Sequence, residues 1–264
     1  MPGSPRGDDQ ARALALQQAL HAAGQDCELS WVAETGSTNS DLLASVRAGC
    51  VGVHCRVAGH QSAGRGRRSR TWQDDGHGAL LCSLAWPLPH DAGVAGLSLA
   101  IGVWLLQALG DLGVAGAALK WPNDVLLSSR KLAGVLVEVA DTPRSRWVVL
   151  GIGLNLASPP DLPQAIGLRE QGLQVDRWQV LQALLPRLLA GLGEFARVGF
   201  APWADAWNHA HAWSGRRVQV LADGVPSQQG VALGVDTQGY LWLATPGGRE
   251  RVASGDVSLR AESD

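Results

Sequence analysis

At Ser214 the texture of this 264-residue chain changes, and the change limits the folds open to it. Before it, apolar runs of helical and strand period follow one another irregularly. After it come about fifty residues of short strands, with turns at Ala222-Asp223-Gly224, Asp236-Thr237-Gln238-Gly239 and Pro246-Gly247-Gly248. Such a tail predicts a small C-terminal β-barrel. The earlier segments do not alternate regularly enough for a doubly wound sheet, so the expected class is α+β, a mixed β-sheet with flanking helices. Three parts follow: a short helical extension (1–28), a main domain (29–213) and the barrel (214–264).

Within the first two parts, residues 10–23 read as an amphipathic helix stopped by Gly24. Strands are predicted at 29–33, 53–57, 79–86, 118–121, 125–127, 132–139 and 147–154. Ser37 sits where a helix cap belongs, ahead of a helix over 41–47. An apolar helix is predicted at 92–109 and a long amphipathic one at 176–197. A shorter helix carrying Trp203 and Trp207 follows. Two loops stand out, a glycine- and arginine-rich one over 59–78 and a proline-containing one over 158–175.

Composition excludes some classes of function. With 46% hydrophobic and 17% charged residues the chain can fill a core, and its net charge of −2 gives no basic field for nucleic acid. The first residues lack an apolar signal core, and the apolar run 92–109 is interrupted by Ser98, Gln107 and several glycines. A buried helix in a cytoplasmic protein fits better than a membrane span. Cys27, Cys50, Cys55 and Cys82 form no C-x-x-C pair and read as buried thiols in a reducing compartment. His209 and His211 lack a nearby carboxylate and read as surface residues rather than metal ligands.

The cations are distributed unevenly. Of 22 Lys and Arg residues only Lys120 and Lys131 are lysine, and they lie eleven positions apart. Guanidinium is a flat, weakly hydrated fork, whereas ammonium is a compact charge suited to neutralising one crowded oxygen. Lys120 opens Lys120-Trp121-Pro122-Asn123-Asp124, in which Pro122 restricts the backbone and presents Asn123 and Asp124 at a strand end. An ordinary turn fits that pattern, and so does a carboxylate and amide holding a hydrated magnesium ion. In Gly64-Arg65-Gly66-Arg67-Arg68-Ser69-Arg70 four guanidinium groups fall within six residues. Such a loop can wrap phosphates, and if extended it sets Arg65 and Arg67 on one side; a nucleic-acid-binding loop reads the same way. Gly151-Ile152-Gly153-Leu154-Asn155 leaves one face of a strand bare for a flat ligand or another backbone.

Taken in order, these clusters resemble the biotin–protein ligase (biotin–[acetyl-CoA-carboxylase] ligase) family. Thr35-Gly36-Ser37-Thr38-Asn39 matches its first motif, and Gln61 with the arginine loop and Trp72 its second. Lys120-Trp121-Pro122-Asn123-Asp124, together with Lys131-Leu132-Ala133-Gly134-Val135-Leu136-Val137-Glu138, matches the third. Gly151-Ile152-Gly153-Leu154-Asn155 matches the fourth, and Gly255-Asp256-Val257-Ser258-Leu259-Arg260 is similar to its C-terminal close.

The resemblance implies a catalytic domain like that of class II aminoacyl-tRNA synthetases. It implies a reaction that joins biotin to ATP as biotinyl-5′-AMP, then passes biotin to a lysine of a biotin carboxyl carrier domain. Implied biotin contacts are Ser37, Thr38, Asn39, Gln61, Gly64, Arg65, Gly66, Arg67, Lys131, Gly134 and Gly151. Implied nucleotide contacts are Arg67, Arg70, Lys120, Trp121, Asn123, Asp124, Lys131 and Asn155, with Asp124 also serving Mg2+. Lys131, Arg65 and Arg67 are the implied catalytic groups. The implied partner is a carrier domain, with no nucleic acid and no membrane, and a homodimer is left open. The single helix before Ser37 is too short for the winged-helix domain of DNA-binding relatives. Ser69 departs from the glycine usual in the loop, and no aromatic between Asn155 and Trp178 stands ready to cover adenine. The competing readings are a lipoate or octanoate transferase of related architecture and a nucleic-acid-binding module.

Overall fold

The computed structural model describes residues 5–73, 78–143, 145–222, 225–253 and 257–261. Helix α1 (Pro5–Ala22) leads into β1 (Glu28–Thr35), α2 (Thr38–Arg47), β2 (His54–Gln61), β3 (Ala79–Leu88) and α3 (Leu97–Asp111). A run of strands follows: β4 (Ala117–Lys120), β5 (Asp124–Leu127), β6 (Arg130–Asp141) and β7 (Arg146–Asn155). Helices α4 (Arg177–Val198) and α5 (Ala204–His209) complete the main domain. Strands β1 to β7 make one seven-stranded mixed sheet in the order β1-β2-β3-β7-β6-β5-β4, in which only β1 and β2 pair in parallel.

The sheet sorts its side chains by strand alternation. Leu80, Cys82 and Leu84 of β3, Ala133 and Val135 of β6, and Val148, Leu150, Ile152 and Leu154 of β7 pack with α3 and α4 in the main core. Helix α3 is mostly apolar because most of it is buried among these elements; Trp104 meets Trp203 edge-on at 5.2 Å and lies on Gly191, where a Cβ would clash with its ring. On the opposite face, Leu42, Leu43 and Val46 of α2 pack on Ala85, Trp147 and Val149. The same face carries Ser83, Gly151 and Leu136 in one cross-strand row and Leu81, Gly153 and Gly134 in the next. The ligand pocket opens on this glycine-bearing side.

The C-terminal part holds β8 (Arg217–Ala222), β9 (Val225–Val235), β10 (Leu241–Thr245), β11 (Gly248–Val252) and β12 (Val257–Ala261). They form an antiparallel sheet in the order β11-β10-β9-β8-β12. The class is α+β, as expected, but among the described residues this sheet is open, because β12 pairs with β8 and not with β11. The Ala222-Asp223-Gly224 turn and the first two residues of the C-terminal motif lie outside the described residues.

Several boundaries differ from expectation for local reasons. Helix α2 starts at Thr38, with Ser37 at the cap position but without a capping bond of its own; Gln61 Oε1 instead accepts from Thr38 N–H at 2.7 Å. Helix α3 starts only at Leu97, after Gly96 adopts φ 77°. Cys50 is half-buried, unlike the other three cysteines, which are buried. His211 is buried rather than exposed. Its ring lies 4.7 Å from that of Trp207, and Leu119 pairs with the backbone on either side of it.

Candidate active site

Two lysines converge on one acid. Lys131 Nζ lies 2.6 Å from Asp124 Oδ1, and Lys120 Nζ lies 3.1 Å from Oδ2. Strand pairing explains the meeting: Lys120 and Asp124 face each other across the β4–β5 turn, and Lys131 is the second residue of the next strand of the meander. Burial works against charge on Asp124, but Lys131 and Lys120 outweigh it and hold its carboxyl below the usual range. Burial likewise lowers the Lys120 amine, with Asp124 acting in the opposite direction. Lys120 also lies 5.3 Å from the ring of Trp213, and Lys131 5.6 Å from that of Trp72.

The magnesium assignment to Asp124 does not fit this geometry. Both carboxylate oxygens face ammonium groups, and a third cation would be repelled by two fixed positive charges. Asn123 is also committed: its Nδ2 donates to Val135 O at 2.8 Å and its Oδ1 accepts from Arg67 at 3.4 Å.

The arginine loop is compact instead of extended. Gly66 N–H donates to Arg70 O at 2.7 Å and Trp72 N–H to Gly64 O at 2.9 Å, around a single 3-10 turn, Arg67–Ser69. Gly64 is required here, because a Cβ would stand 2.6 Å from Trp72 O. Folding back sends Arg65 and Arg67 in different directions, contrary to the expectation for an extended loop. Arg65 Nη2 meets Glu138 Oε1 at 2.7 Å, while Arg67 turns to Asn123. The side chain of Ser69 lies outside the described residues.

The glycine face receives a flat group, and that group is the chain's own Trp72. A Cβ on Gly153 would stand 2.5 Å from the indole, and one on Gly134 would stand 3.3 Å from it and 3.1 Å from Lys131 Nζ. Trp72 Nε1 is buried and makes no hydrogen bond among the described residues. Gly151 accommodates the Asn39 carboxamide in the same manner. Thr38, Asn39 and Ser83, all buried, form a polar floor with Gln61: Thr38 Oγ1 lies 2.7 Å from Ser83 Oγ, which donates to Asn39 Oδ1 at 2.5 Å.

These groups line one cavity together with Ser37, Gly66, Arg68, Arg70 and Pro122. Trp121 also reaches its wall, but the indole is fully buried and donates to Gly239 O of the C-terminal part at 3.3 Å, which makes it a joint between the two parts. Two predicted contacts stand outside the wall. Gly64 serves the loop's own turn, and Asn155 is buried and donates to Lys131 O at 3.3 Å. Sequence reasoning gave no role to Trp72, Ser83 or Arg260, although all three line the cavity. Ser83 left one faint signal, a lone hydroxyl within an apolar strand. Arg260 arrives from β12, so the C-terminal part contributes to the site.

Two ammonium groups paired with one carboxylate, a folded guanidinium loop and a hydrogen-bonding floor on one sheet face define a pocket for a ligand that is polar at one end and anionic at the other. The sequence pattern of the Biotin/lipoate A/B protein ligase family matches residues 51–155, and that of the Biotin protein ligase C terminal domain matches 213–260. The biotin--[acetyl-CoA-carboxylase] ligase of Mycobacterium tuberculosis is 36% identical over 253 residues, covering 92% of this chain and 93% of the relative. The bifunctional ligase/repressor BirA of Salmonella typhimurium is 35% identical, over 85% of this chain and 72% of its own. The fold matches the Aquifex aeolicus biotin protein ligase solved with biotin and ATP at a TM-score of 0.77, with 27% identity over 89% of this chain and 99% of that one. The chain belongs to the biotin protein ligase family.

Proposed function

We propose that this chain is an ATP-dependent biotin–protein ligase. The biotin carboxylate attacks the α-phosphorus of ATP, the bond to the β-phosphate breaks, and biotinyl-5′-AMP and pyrophosphate form. A lysine amine of a biotin carboxyl carrier domain then attacks the acyl carbon, and AMP leaves. The carrier as partner, the cytoplasm as location and the division at 28/29 and 213/214 belong to the same reading; no helix among the described residues is long and apolar enough to cross a membrane.

The observation that carries this reading is the Lys131–Asp124–Lys120 cluster beside the glycine face. Two anions must meet before the first step. At ~4 Å, unit charges repel by roughly 4 kcal/mol at an effective dielectric near 20. An ammonium between them removes that cost and offsets charge developing at the transition state. Lys131 has that place; Asp124 holds it on one side and Lys120 balances the pair. No protein nucleophile is required, because the substrate carboxylate attacks. Thr38, Asn39, Gln61 and Ser83 are suited to the ureido ring, with Trp72 against it. Arg67, Arg70 and Arg260 are suited to the nucleotide, which brings Mg2+ on its phosphates as part of the substrate, and Asn123 holds Arg67 in place for it. The arginine loop closes over the mixed anhydride and keeps water away.

The nearest alternative, a lipoate or octanoate transferase, has the polar floor against it: a plain acyl chain would leave Thr38, Asn39 and Ser83 without ligand partners. ATP–pyrophosphate exchange with biotin, lipoate and octanoate as separate acids tests the assignment. Exchange with biotin alone is expected; exchange driven by lipoate or octanoate instead would overturn it.

A further inference from the structure

Glu138 does not line the pocket, yet it lies between the pocket's floor and its loop. It stands on the glycine-bearing face of β6, two residues beyond Leu136. Its Oε2 accepts from Asn39 Nδ2 at 2.9 Å and its Oε1 from Arg65 Nη2 at 2.7 Å. Arg65 is held a second time, by Ser40 Oγ at 3.3 Å.

A carboxylate offers acceptors only. Asn39 must therefore turn its amide nitrogen towards Glu138 and its oxygen inward, where it accepts from Ser83 Oγ at 2.5 Å. Ser83 has one hydroxyl proton and has now used it, so its 2.7 Å contact with Thr38 Oγ1 must be a bond that Ser83 accepts. Gln61 Oε1 takes the Thr38 amide at 2.7 Å and, at 3.0 Å, shares the Thr38 hydroxyl proton with Ser83 Oγ. The protons of the row run one way, from Thr38 through Ser83 and Asn39 to Glu138, and Arg65 meets the same carboxylate from the loop side. With their own protons committed, the floor hydroxyls keep oxygen lone pairs for the N–H groups of a cyclic urea.

We infer that Glu138 is a positioning residue for the ligase reaction: one of its oxygens fixes the donor–acceptor order of the biotin-binding floor, and the other holds Arg65 and so the arginine loop. The inference rests on the biotin-ligase reading of the site. It assigns to one carboxylate the coupling between the polar end of the acid substrate and the loop that shields its activated form.

Glu138→Gln keeps the shape of the side chain but places an amide N–H where an acceptor is needed, so Asn39 and Arg65 cannot both be satisfied. The biotin KM in ATP–pyrophosphate exchange is expected to rise roughly tenfold while the ATP KM stays put, and bound adenylate should escape roughly tenfold faster. The melting temperature should remain near that of the unaltered protein. Glu138→Asp, which keeps the charge, should recover part of both losses. In the double variant Glu138→Gln/Arg65→Ala, the gain in escape rate should fall short of the product of the two single gains, because both changes cut the Arg65 contact while Glu138→Gln alone also disturbs Asn39. If the unaltered protein exchanges with biotin while Glu138→Gln matches it in biotin KM and adenylate retention, the role of Glu138 is overturned and the ligase reading stands. Additive losses in the double variant also overturn it. Absence of biotin-dependent exchange in the unaltered protein overturns the ligase reading, and this inference with it.

Discussion

Along β3, β6 and β7, alternate side chains face either α3 and α4 or the ligand pocket, and the two sets share little chemistry. The first set is Leu, Ile, Val, Ala and Cys, closely packed; each large aliphatic group removed from water there contributes about 1.5–3 kcal/mol. The second set, where it borders the pocket, is Ser83, Gly134, Gly151, Gly153 and Glu138 with Leu81 and Leu136 between them, and it leaves room for Trp72, Asn39 and a ligand, while Ala85, Trp147 and Val149 further along pack on α2. Stability and chemistry are thus divided between two sides of the same strands.

The comparison can be broken from either side. Trp104→Ala strikes only the packed face and should cost about 3–5 kcal/mol of unfolding free energy, measured by denaturant titration. A loss below 1 kcal/mol would show that this face does not carry the fold. On the other side, Lys131→Ala should melt normally yet lose on the order of 10² in adenylation rate, followed by pyrophosphate exchange. Near-normal turnover would remove Lys131 from the chemistry.

His211 offers a test through pH. Burial lowers its pKa to about 4, against 6.5 in the unfolded chain. Between those values the unfolded state binds the extra proton, so stability should fall as pH drops from 6.5 towards 4, by on the order of 3 kcal/mol. His211→Phe should lose that part of the slope; an unchanged slope would mean the imidazole is not held neutral in the fold.

Gly153→Ala sharpens the contrast further, since a Cβ must push the Trp72 ring aside. A penalty of about 1–3 kcal/mol is expected in biotin affinity by calorimetry, with little change in melting temperature. The smallest effect belongs to Arg65→Ala, whose partly exposed ion pair with Glu138 is worth about 1 kcal/mol or less from the ion pair alone. It should show as faster adenylate escape with a nearly unchanged exchange rate, and unaltered retention would separate Arg65 from loop closure.

What could be read in the sequence followed the range of the interactions. The Lys120–Asp124 turn, the arginine loop and the alternating glycines are local patterns, and their residues do gather in one place. The Arg65–Glu138 pair spans 73 positions, and its formation depends on how β6 lies against the loop. No spacing rule reports that, so the sequence leaves open whether the loop is extended or folded back. Gly96 reset the start of α3 through a backbone angle that composition does not reveal. His211 reads as a surface residue in the sequence because its burial depends on β4 and Trp207 closing around it. The open C-terminal sheet differs from a barrel only in whether its outermost strands pair, a choice made at long range.

The scarcity of lysine has a further effect. Activated acyl groups react with primary amines, and this chain offers very few: Lys120 is enclosed and ion-paired, and Lys131 is half covered by its own ion pair. Any mixed anhydride that diffused away would find no freely exposed ε-amine among the described residues of its maker. An enzyme so built is poorly placed to label its own lysines, and a mild acylating reagent applied without substrate would report chiefly on Lys131 and the N-terminal α-amine.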